Sequence, residues 1–323
     1  MSSLPQFTTR TAPEGRLAEL GIKVRKTLQH QARQATVAAR GRLWDAMRWP
    51  AVRPIFIVGC SRSGTLMLYK TLAESRELGA LKRDLYAFWW RLHPPARKQW
   101  ATNALGAEDA TPYDRDAITR HFYAHTGRLR LVGKNNAHGL CIPYLHALFP
   151  DAHFVFIKRN PGDTLNSMMD GWARPERFAT WSIDLPAEVA VDGERYTRWC
   201  FFLVEGWRAY LRSPLEEVCA FQYAAIHRAI LDARAGVPSS QWTEVFYEDF
   251  IRDPLTGFRR LFASCDLRFD PALQRHAATA LTRPFEPQSE IRAGKWREQA
   301  HVTRIERVLP ALQGLARELG YTH

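Results

Sequence analysis

Pro54-Ile55-Phe56-Ile57-Val58-Gly59-Cys60-Ser61-Arg62-Ser63-Gly64-Thr65 is the stretch that decides the fold. Its residues 55–59 predict a buried strand, because four β-branched or aromatic residues run into a glycine. Small polar residues and a second glycine follow, and the apolar pattern after them predicts a helix over 65–75. A strand, a small-residue loop and a helix form a cradle in which backbone N–H groups and the helix dipole favour an anion. The stretch therefore predicts a phosphate site.

The details of this loop argue against an ATPase. The two glycines have the spacing Gly59-x4-Gly64 of a nucleotide-binding P-loop, but Thr65 stands where that motif needs a lysine. Arg62 supplies a cation inside the loop instead. Cys60 is expected to be a small packing residue rather than a nucleophile.

Length and charge bound the remaining choices. With 323 residues, 46% of them hydrophobic, the chain can bury one large core. The net charge of +12 is unevenly placed, since residues 1–53 hold ten Arg or Lys against three acidic residues. Nucleic acid, acidic lipid and a phosphorylated cofactor would all suit such a chain. We predict a basic N-terminal helical extension over residues 1–50 and one domain over 51–323.

The N-terminal extension is predicted to be helical over 16–49. A basic amphipathic helix can lie on an anionic membrane, although packing of this helix over the sheet is the favoured interpretation. Five scattered cysteines without a CxxC pair, no apolar run of 18 residues and no apolar signal segment predict a cytoplasmic protein. Peripheral contact with the inner face of the membrane through residues 16–49 is the accompanying expectation.

Strands and helices alternate along the rest of the chain. Further strands are predicted at 78–81, 130–133, 153–157 and 242–247. A long helix is predicted at 201–236, as are a helix that extends to about 264 after the last strand and a helix capped by Asp163. This alternation predicts an α/β fold with a central parallel sheet flanked by helices, a three-layer P-loop-like architecture. In such sheets ligands bind beyond the carboxyl ends of the strands. Arg62, Lys134 and Arg159 each follow a predicted strand.

Four segments resemble the family of sulfotransferases that use 3′-phosphoadenosine 5′-phosphosulfate (PAPS). Residues 54–65 resemble its 5′-phosphosulfate loop, and residues 154–163 with Ser167 resemble its 3′-phosphate motif, in which an arginine and a serine eight residues later bind that phosphate. Residues 246–250, Phe-Tyr-Glu-Asp-Phe, and 292–296, Arg-Ala-Gly-Lys-Trp, are similar to two later motifs. All four occur in the family's order over about 240 residues, and the connection at 142–152 resembles that of the bacterial and carbohydrate-acting branches.

The resemblance implies a donor site and a reaction. The implied donor-binding residues are Arg62, Ser63, Gly64, Thr65, Leu66, Arg159, Ser167, Tyr247, Arg292, Gly294 and Lys295. Leu66 replaces a threonine that is common in the family. The implied reaction is in-line transfer of the sulfuryl group from PAPS, without a metal, to a hydroxyl or amine of a carbohydrate, lipid or small molecule. Arg62 and Lys134 would stabilise charge at the transferring group.

The general base stays open. The cytosolic branch has a Lys-Thr-His segment with histidine as base, whereas this chain has Lys134-Asn135-Asn136. Other branches use a carboxylate after the second strand, and Asp84 stands near that place. His138 and His93 are the alternatives, because an unperturbed imidazole titrates near neutral pH.

Two other classes of protein compete with an enzyme of this family. A P-loop kinase or NTPase is disfavoured by Thr65 and by the lack of a strand ending in a magnesium-binding aspartate. A non-catalytic, sulfotransferase-like nucleotide-binding protein is permitted by Leu66 and the missing histidine. Nucleic-acid binding comes last, because the anion sites and the N-terminal helix already account for the charge. The sequence does not identify the acceptor. Trp89 and Trp90 are typical of the wall of a binding pocket and equally of a hydrophobic core.

Overall fold

A four-stranded parallel sheet lies at the centre of the protein. The computed structural model describes residues 14–81, 86–279, 281 and 291–321. The strands are β1 (Ile55–Val58), β2 (Val132–Lys134), β3 (His153–Lys158) and β4 (Trp242–Phe246). Their order in the sheet is β2-β1-β3-β4, and every neighbouring pair is parallel.

Helices precede, connect and follow the strands. They are α1 (Glu14–Met47), α2 (Thr65–Leu72), α3 (Tyr86–Leu92), α4 (Pro112–Thr126), α5 (Ile142–Leu148), α6 (Pro161–Trp172), α7 (Pro175–Phe178), α8 (Leu215–Arg234), α9 (Tyr247–Arg252), α10 (Pro254–Ser264), α11 (Pro271–Thr279) and α12 (Val302–Glu318). Short 3₁₀ turns separate several of them.

The sheet has a hydrophobic core on each face, which confirms the three-layer α/β prediction. Ile55 and Ile57 of β1 point to one face, where α2, α10 and α11 pack. Phe56 and Val58 point to the other face, against α5, α6 and α8. Successive residues of a strand alternate between faces, so a strand buried on both sides needs a continuous apolar run, as β1 has.

The order of the strands creates a crevice at their carboxyl ends. The chain leaves β1 for β2 on one side and then returns for β3 on the other side. Such a switch point leaves a gap between the connections, and ligands bind there in open α/β sheets. The loop 59–64, Lys134 and Arg159 all lie at this edge because each follows its strand.

Three predicted elements differ in the structure. Residues 78–81 form only an isolated bridge, Gly79 to Leu131, instead of a strand. The long helix begins at Leu215, because Pro214 directly before it lacks an N–H and is tolerated only at a helix start. The helix after β4 is divided into α9 and α10 at Pro254 for the same reason.

Helix α1 packs on α4 rather than over the sheet. Trp44 is buried, and Asp45 accepts two hydrogen bonds from the Arg120 guanidinium at 2.7 and 2.8 Å. Farther toward its start, Val24 and Leu28 are more than half exposed. Among the residues the structure describes, no helix is both long and apolar enough to cross a membrane.

Candidate active site

The loop between β1 and α2 is held in a tight turn. Arg62 and Gly64 adopt left-handed backbone conformations, with φ of +73° and +101°. The Ser63 hydroxyl is fully buried and donates a hydrogen bond to the Cys60 carbonyl at 2.7 Å. Gly64 is the N-cap residue of α2 and has no side chain. The cap residue therefore does not occupy the first backbone amides of the helix, which remain available at the loop. A Cβ at Gly64 would lie 2.6 Å from Cδ2 of Tyr247, which explains the glycine.

Arg62, Arg159 and Ser167 are joined directly by hydrogen bonds. The Nε of Arg62 donates to the Ser167 hydroxyl at 3.1 Å, and Nη1 of Arg159 donates to the Arg62 carbonyl at 2.8 Å. Ser167 lies two turns into α6, which begins just after Arg159. The eight-residue spacing seen in the sequence therefore brings both side chains to the loop that follows β1.

Two side-chain nitrogens of Arg159 are buried without a hydrogen bond to any residue that the structure describes. The residue is 4% exposed, and the two nitrogens are its Nε and Nη2. Its guanidinium lies 4.4 Å from the ring centroid of Tyr247, which fixes its plane. Burying a charged group without partners is costly unless a ligand supplies them. The open nitrogens therefore indicate an anion, and a phosphate suits their planar fork.

A cavity of about 450 Å³ contains these groups. Of the sequence-predicted donor-binding residues, the structure places in its wall Arg62, Gly64, Thr65, Leu66, Arg159, Ser167 and Tyr247. Lys134 lines it as well, with its Nζ 3.0 Å from Oδ1 of Asn136. Burial raises the pKa of Tyr247, which keeps its phenol neutral beside the two arginines.

The C-terminal segment reaches the site differently from the expectation. Arg292 pairs through two hydrogen bonds, of 2.8 and 2.7 Å, with Glu298. Of the described residues 291–297, Ile291 lines the cavity. Gly294 has φ +73° and donates its N–H to the Asp163 carboxylate. Lys295 is buried.

Asp163 does not cap α6 as predicted. The cap is Asn160, whose side chain accepts from the Asp163 N–H at 3.3 Å. Asn160 stands at the position that a capping side chain needs, so the Asp163 carboxylate is left for other contacts.

The candidate bases lie outside this cavity or outside the described residues. Asp84 belongs to the segment 82–85, of which the structure gives no description. His138 is buried in the wall of a neighbouring cavity, and neither of its ring nitrogens forms a hydrogen bond within the described part of the chain. Burial, and to a lesser extent nearby Lys134, lowers its pKa to about 3, so the ring is neutral at pH 7. His93 lines the same cavity, 3.3 Å from Asp114; burial lowers its pKa too.

The neighbouring cavity has a volume of about 580 Å³ and shares a wall with the first. Lys134 and Asn136 face the first cavity, whereas Asn135 and His138 line the second, and Phe201 touches both. The aromatic side chains predicted as a pocket wall, Trp89 and Trp90, line the second cavity. The two cavities are thus separated by one short segment of chain that follows β2.

The sequence missed several residues of the site. Phe178 packs under Arg62, with its ring centroid 5.0 Å from the guanidinium carbon, and Phe201 joins the two cavities. Neither Phe178 nor Phe201 lies in a motif, so the sequence offered no reason to select them. Asn136 could have been selected, because it belongs to the polar run that follows Lys134 at the end of a strand. Cys60 is fully buried, and burial raises the pKa of its thiol strongly, as a packing residue requires.

Together these groups can bind a molecule that carries two anionic ends. One cation, Arg62, and the start of α2 lie at the loop, while Arg159 and Ser167 form a second anion site beside them. Lys134 adds a positive charge at the side that faces the neighbouring cavity. Such an arrangement can stabilise negative charge on a group held where the two cavities meet.

Comparison with known proteins shows which family the chain is similar to. A curated relative, the nodulation protein NoeE of Sinorhizobium fredii (strain NBRC 101917 / NGR234), is 29% identical over 150 residues, which are 42% of this chain and 36% of that protein. The match thus spans about a third of the relative's length. The solved sulfotransferase STF9 from Mycobacterium avium is similar in fold, with a TM-score of 0.52 and 12% identity, over 86% of this chain and 81% of that one.

A second solved structure and a family model complete the comparison. The sulfotransferase from Alicyclobacillus acidocaldarius matches with a TM-score of 0.47 and 21% identity, over 84% of this chain and 98% of that one. The model of the sulfotransferase family matches residues 54–199 and 189–271, which include the loop after β1, the end of β3 and β4. This chain belongs to the sulfotransferase family.

Proposed function

We propose that the protein transfers the sulfuryl group of PAPS to a hydroxyl or amine of a carbohydrate, lipid or small-molecule acceptor. The observation that carries the proposal is Arg159, a buried arginine with two nitrogens that bond to none of the described residues, in a cavity that also holds Arg62 and Ser167. A nucleotide with phosphates at both its 3′ and 5′ positions would satisfy these two anion sites together. The residues present therefore fit PAPS.

The chain's own residues divide the work of holding the donor. Arg62, Thr65 and the first amides of α2 would bind the 5′-phosphate end. The hydroxyl of Ser63, which the sequence assigned to the same end, instead donates to the Cys60 carbonyl and shapes the loop. Arg159 and Ser167 would bind the 3′-phosphate, and Tyr247, whose ring lies against Arg159, would border the adenosine. Gly294 and Lys295 would approach from the C-terminal segment.

PAPS supplies an activated sulfuryl group, which passes to the acceptor by in-line displacement while adenosine 3′,5′-bisphosphate leaves. Lys134 and Arg62 would stabilise the negative charge that develops on the oxygens around sulfur and on the leaving phosphate. Both cations line the donor cavity and are partly buried, which strengthens their effect relative to bulk water.

The acceptor is assigned to the neighbouring cavity. Its volume of about 580 Å³ is within the ~300–1,000 Å³ of ligand pockets, and Trp89 and Trp90 would provide flat apolar walls. A base would take the proton of the acceptor. His138 and His93 line this cavity, and Asp84, which lies outside the described residues, remains a candidate from the sequence. A neutral His138 has a free nitrogen lone pair for this role, although its lowered pKa makes it a weak base.

Helix α1 is assigned a peripheral contact with an anionic membrane. Exposed apolar residues near its start, Val24 and Leu28, alternate with exposed Arg25, Lys26 and Arg33. Sedimentation with vesicles tests this: binding to vesicles with anionic lipid, and none to neutral vesicles, is expected. Equal recovery in the supernatant with both kinds of vesicle would refute the contact.

The donor assignment is tested by thermal denaturation with three nucleotides: adenosine 3′,5′-bisphosphate, adenosine 5′-monophosphate and ATP with magnesium. Ligand at about 100 times its Kd stabilises a protein by about 2.7 kcal/mol, which raises the unfolding temperature measurably. The largest rise is expected with the bisphosphate, because only it fills the Arg159 site. A rise with ATP–magnesium alone would contradict the proposal and favour a phosphoryl-transfer enzyme.

A further inference from the structure

The carboxylate of Asp163 is occupied by the backbone of one distant segment. Its Oδ2 accepts the N–H of Gly294 at 2.6 Å, and its Oδ1 accepts the N–H of Trp296 at 3.2 Å. Asp163 is 1% exposed and lies in the first turn of α6. Hydrogen bonds to a buried charged acceptor are among the strongest that a protein forms. Both oxygens thus hold residues more than 130 positions later in the chain.

The surrounding residues are suited to this contact. Asn160 caps α6, which leaves both oxygens of Asp163 available. Gly162 has no side chain, and a Cβ there would overlap the indole of Trp296, so the ring can pack directly on the start of α6. Gly294, with φ +73°, adopts a left-handed conformation in which its N–H meets the carboxylate.

The segment held in this way belongs to the donor cavity. Ile291 lines that cavity, and Lys295, four residues later in the same segment, is buried. Helix α6, to which Asp163 ties the segment, also carries Ser167 and begins two residues after Arg159. One helix start therefore positions the 3′-phosphate residues and the C-terminal segment together.

We propose that Asp163 is a positioning residue that holds the segment 291–297 closed on the donor cavity and thereby slows release of the 3′-phosphorylated nucleotide. The hold on the segment follows from the two hydrogen bonds alone. The identity of the nucleotide rests on the proposed function.

The first test measures hydrogen exchange of the nucleotide-free protein. In Asp163→Asn, which keeps the volume but removes the charge and one acceptor, the amides of Gly294 and Trp296 are expected to exchange at least about tenfold faster. The matched control is Asp170→Asn, on the same helix, where the aspartate is half exposed and pairs with His301 at 3.3 Å. This control should leave residues 291–297 unchanged. Unchanged exchange in Asp163→Asn would overturn the hold on the segment.

The second test measures the dissociation rate of adenosine 3′,5′-bisphosphate by stopped flow. We expect Asp163→Asn to raise it by about 10- to 100-fold, the loss typical for hydrogen bonds to a charged group. Association should change little, because the variant alters no residue assigned to bind the nucleotide. Faster exchange at the segment with an unchanged dissociation rate would overturn the link to nucleotide release.

A second variant guards against an unrelated loss of folding. In Gly162→Ala the carboxylate remains, but the new methyl displaces the Trp296 ring, so the same faster exchange at 291–297 and faster dissociation are expected. Circular dichroism should match that of the unmodified protein for both variants. If the unmodified protein does not bind the bisphosphate, the proposed function fails, while the exchange experiment still decides the role of Asp163.

Discussion

At the scale of single residues, Arg159 distinguishes a 3′-phosphorylated nucleotide from other nucleotides. Arg159→Ala should weaken binding of adenosine 3′,5′-bisphosphate about 10- to 100-fold, because it removes the unpartnered nitrogens that would meet the 3′-phosphate. Affinity for adenosine 5′-monophosphate should fall much less. Isothermal titration of both ligands measures the difference between the two losses.

Two further variants sharpen this experiment. Arg159→Lys keeps the charge but loses the planar fork, so it should restore only part of the affinity for the bisphosphate. Arg252→Ala removes an exposed arginine that pairs with Asp249 three residues earlier, and it should change neither affinity. Equal losses for both nucleotides in Arg159→Ala would contradict the assignment of Arg159 to the 3′-phosphate.

Residue spacing predicted some contacts of the site and missed others. The placement of Arg159 and Ser167 at one site was predictable. Arg159 lies two residues before α6 and Ser167 lies in it, so the geometry of one helix fixes their relative positions. The partner of Asp163 was not predictable. An aspartate near the start of a helix can cap that helix or accept hydrogen bonds from a distant segment, and the sequence looks the same in both cases. Arg292 was assigned to the donor, but in the structure it pairs with Glu298. The choice between such partners is made by tertiary packing, which spacing does not encode.

At the scale of elements, the sequence was most informative where burial was complete. Strands β1 and β3 were predicted within about one residue because a strand covered on both faces is a continuous apolar run. Residues 78–81 show the opposite case: they are apolar enough, but only Gly79 pairs with the sheet. The strand propensity of a segment gives no information on whether a neighbouring strand has backbone groups free for further hydrogen bonding.

Prolines set the helix boundaries that periodicity could not. The apolar pattern over 201–236 suggested one helix, yet Pro214 and the left-handed backbone of Phe201 and Gly206 exclude a regular helix before Leu215. The irregular stretch that results has a role, because Phe201 lies between the two cavities. The loop conformation places the aromatic side chain of Phe201 at this junction, and the sequence did not predict that position.

At the scale of the whole molecule, buried histidines make stability depend on pH. His138, His153 and His227 are each at most 7% exposed, and burial is the main cause that lowers their pKa values to about 3, 4 and 4. In the unfolded chain their pKa values return to about 6.5. Between about pH 6.5 and pH 4 the unfolded state therefore binds protons that the folded state does not, so the free energy of unfolding falls as the pH is lowered.

The size of this effect follows from linkage. Each such histidine contributes a slope of up to about 1.4 kcal/mol per pH unit, and three together give about 4. A domain typically has only about 5–15 kcal/mol of stability, so a large part of it should be lost between pH 6.5 and pH 5. Carboxylates whose pKa is lowered, such as Glu244 beside Lys158, add to the loss only at lower pH.

Urea unfolding at pH 7.5, 6.0 and 5.0, followed by tryptophan fluorescence, measures this slope. His153→Gln is the matched variant, because glutamine can keep a hydrogen bond to the Thr243 hydroxyl, which lies 2.8 Å from Nε2 of His153, but does not titrate. Its slope should be smaller by about 1.4 kcal/mol per pH unit, while stability at pH 7.5 changes much less. A free energy of unfolding that is the same at pH 7.5 and pH 5.0 would mean that these rings become protonated within the folded protein, and that the interior opens to water at their positions.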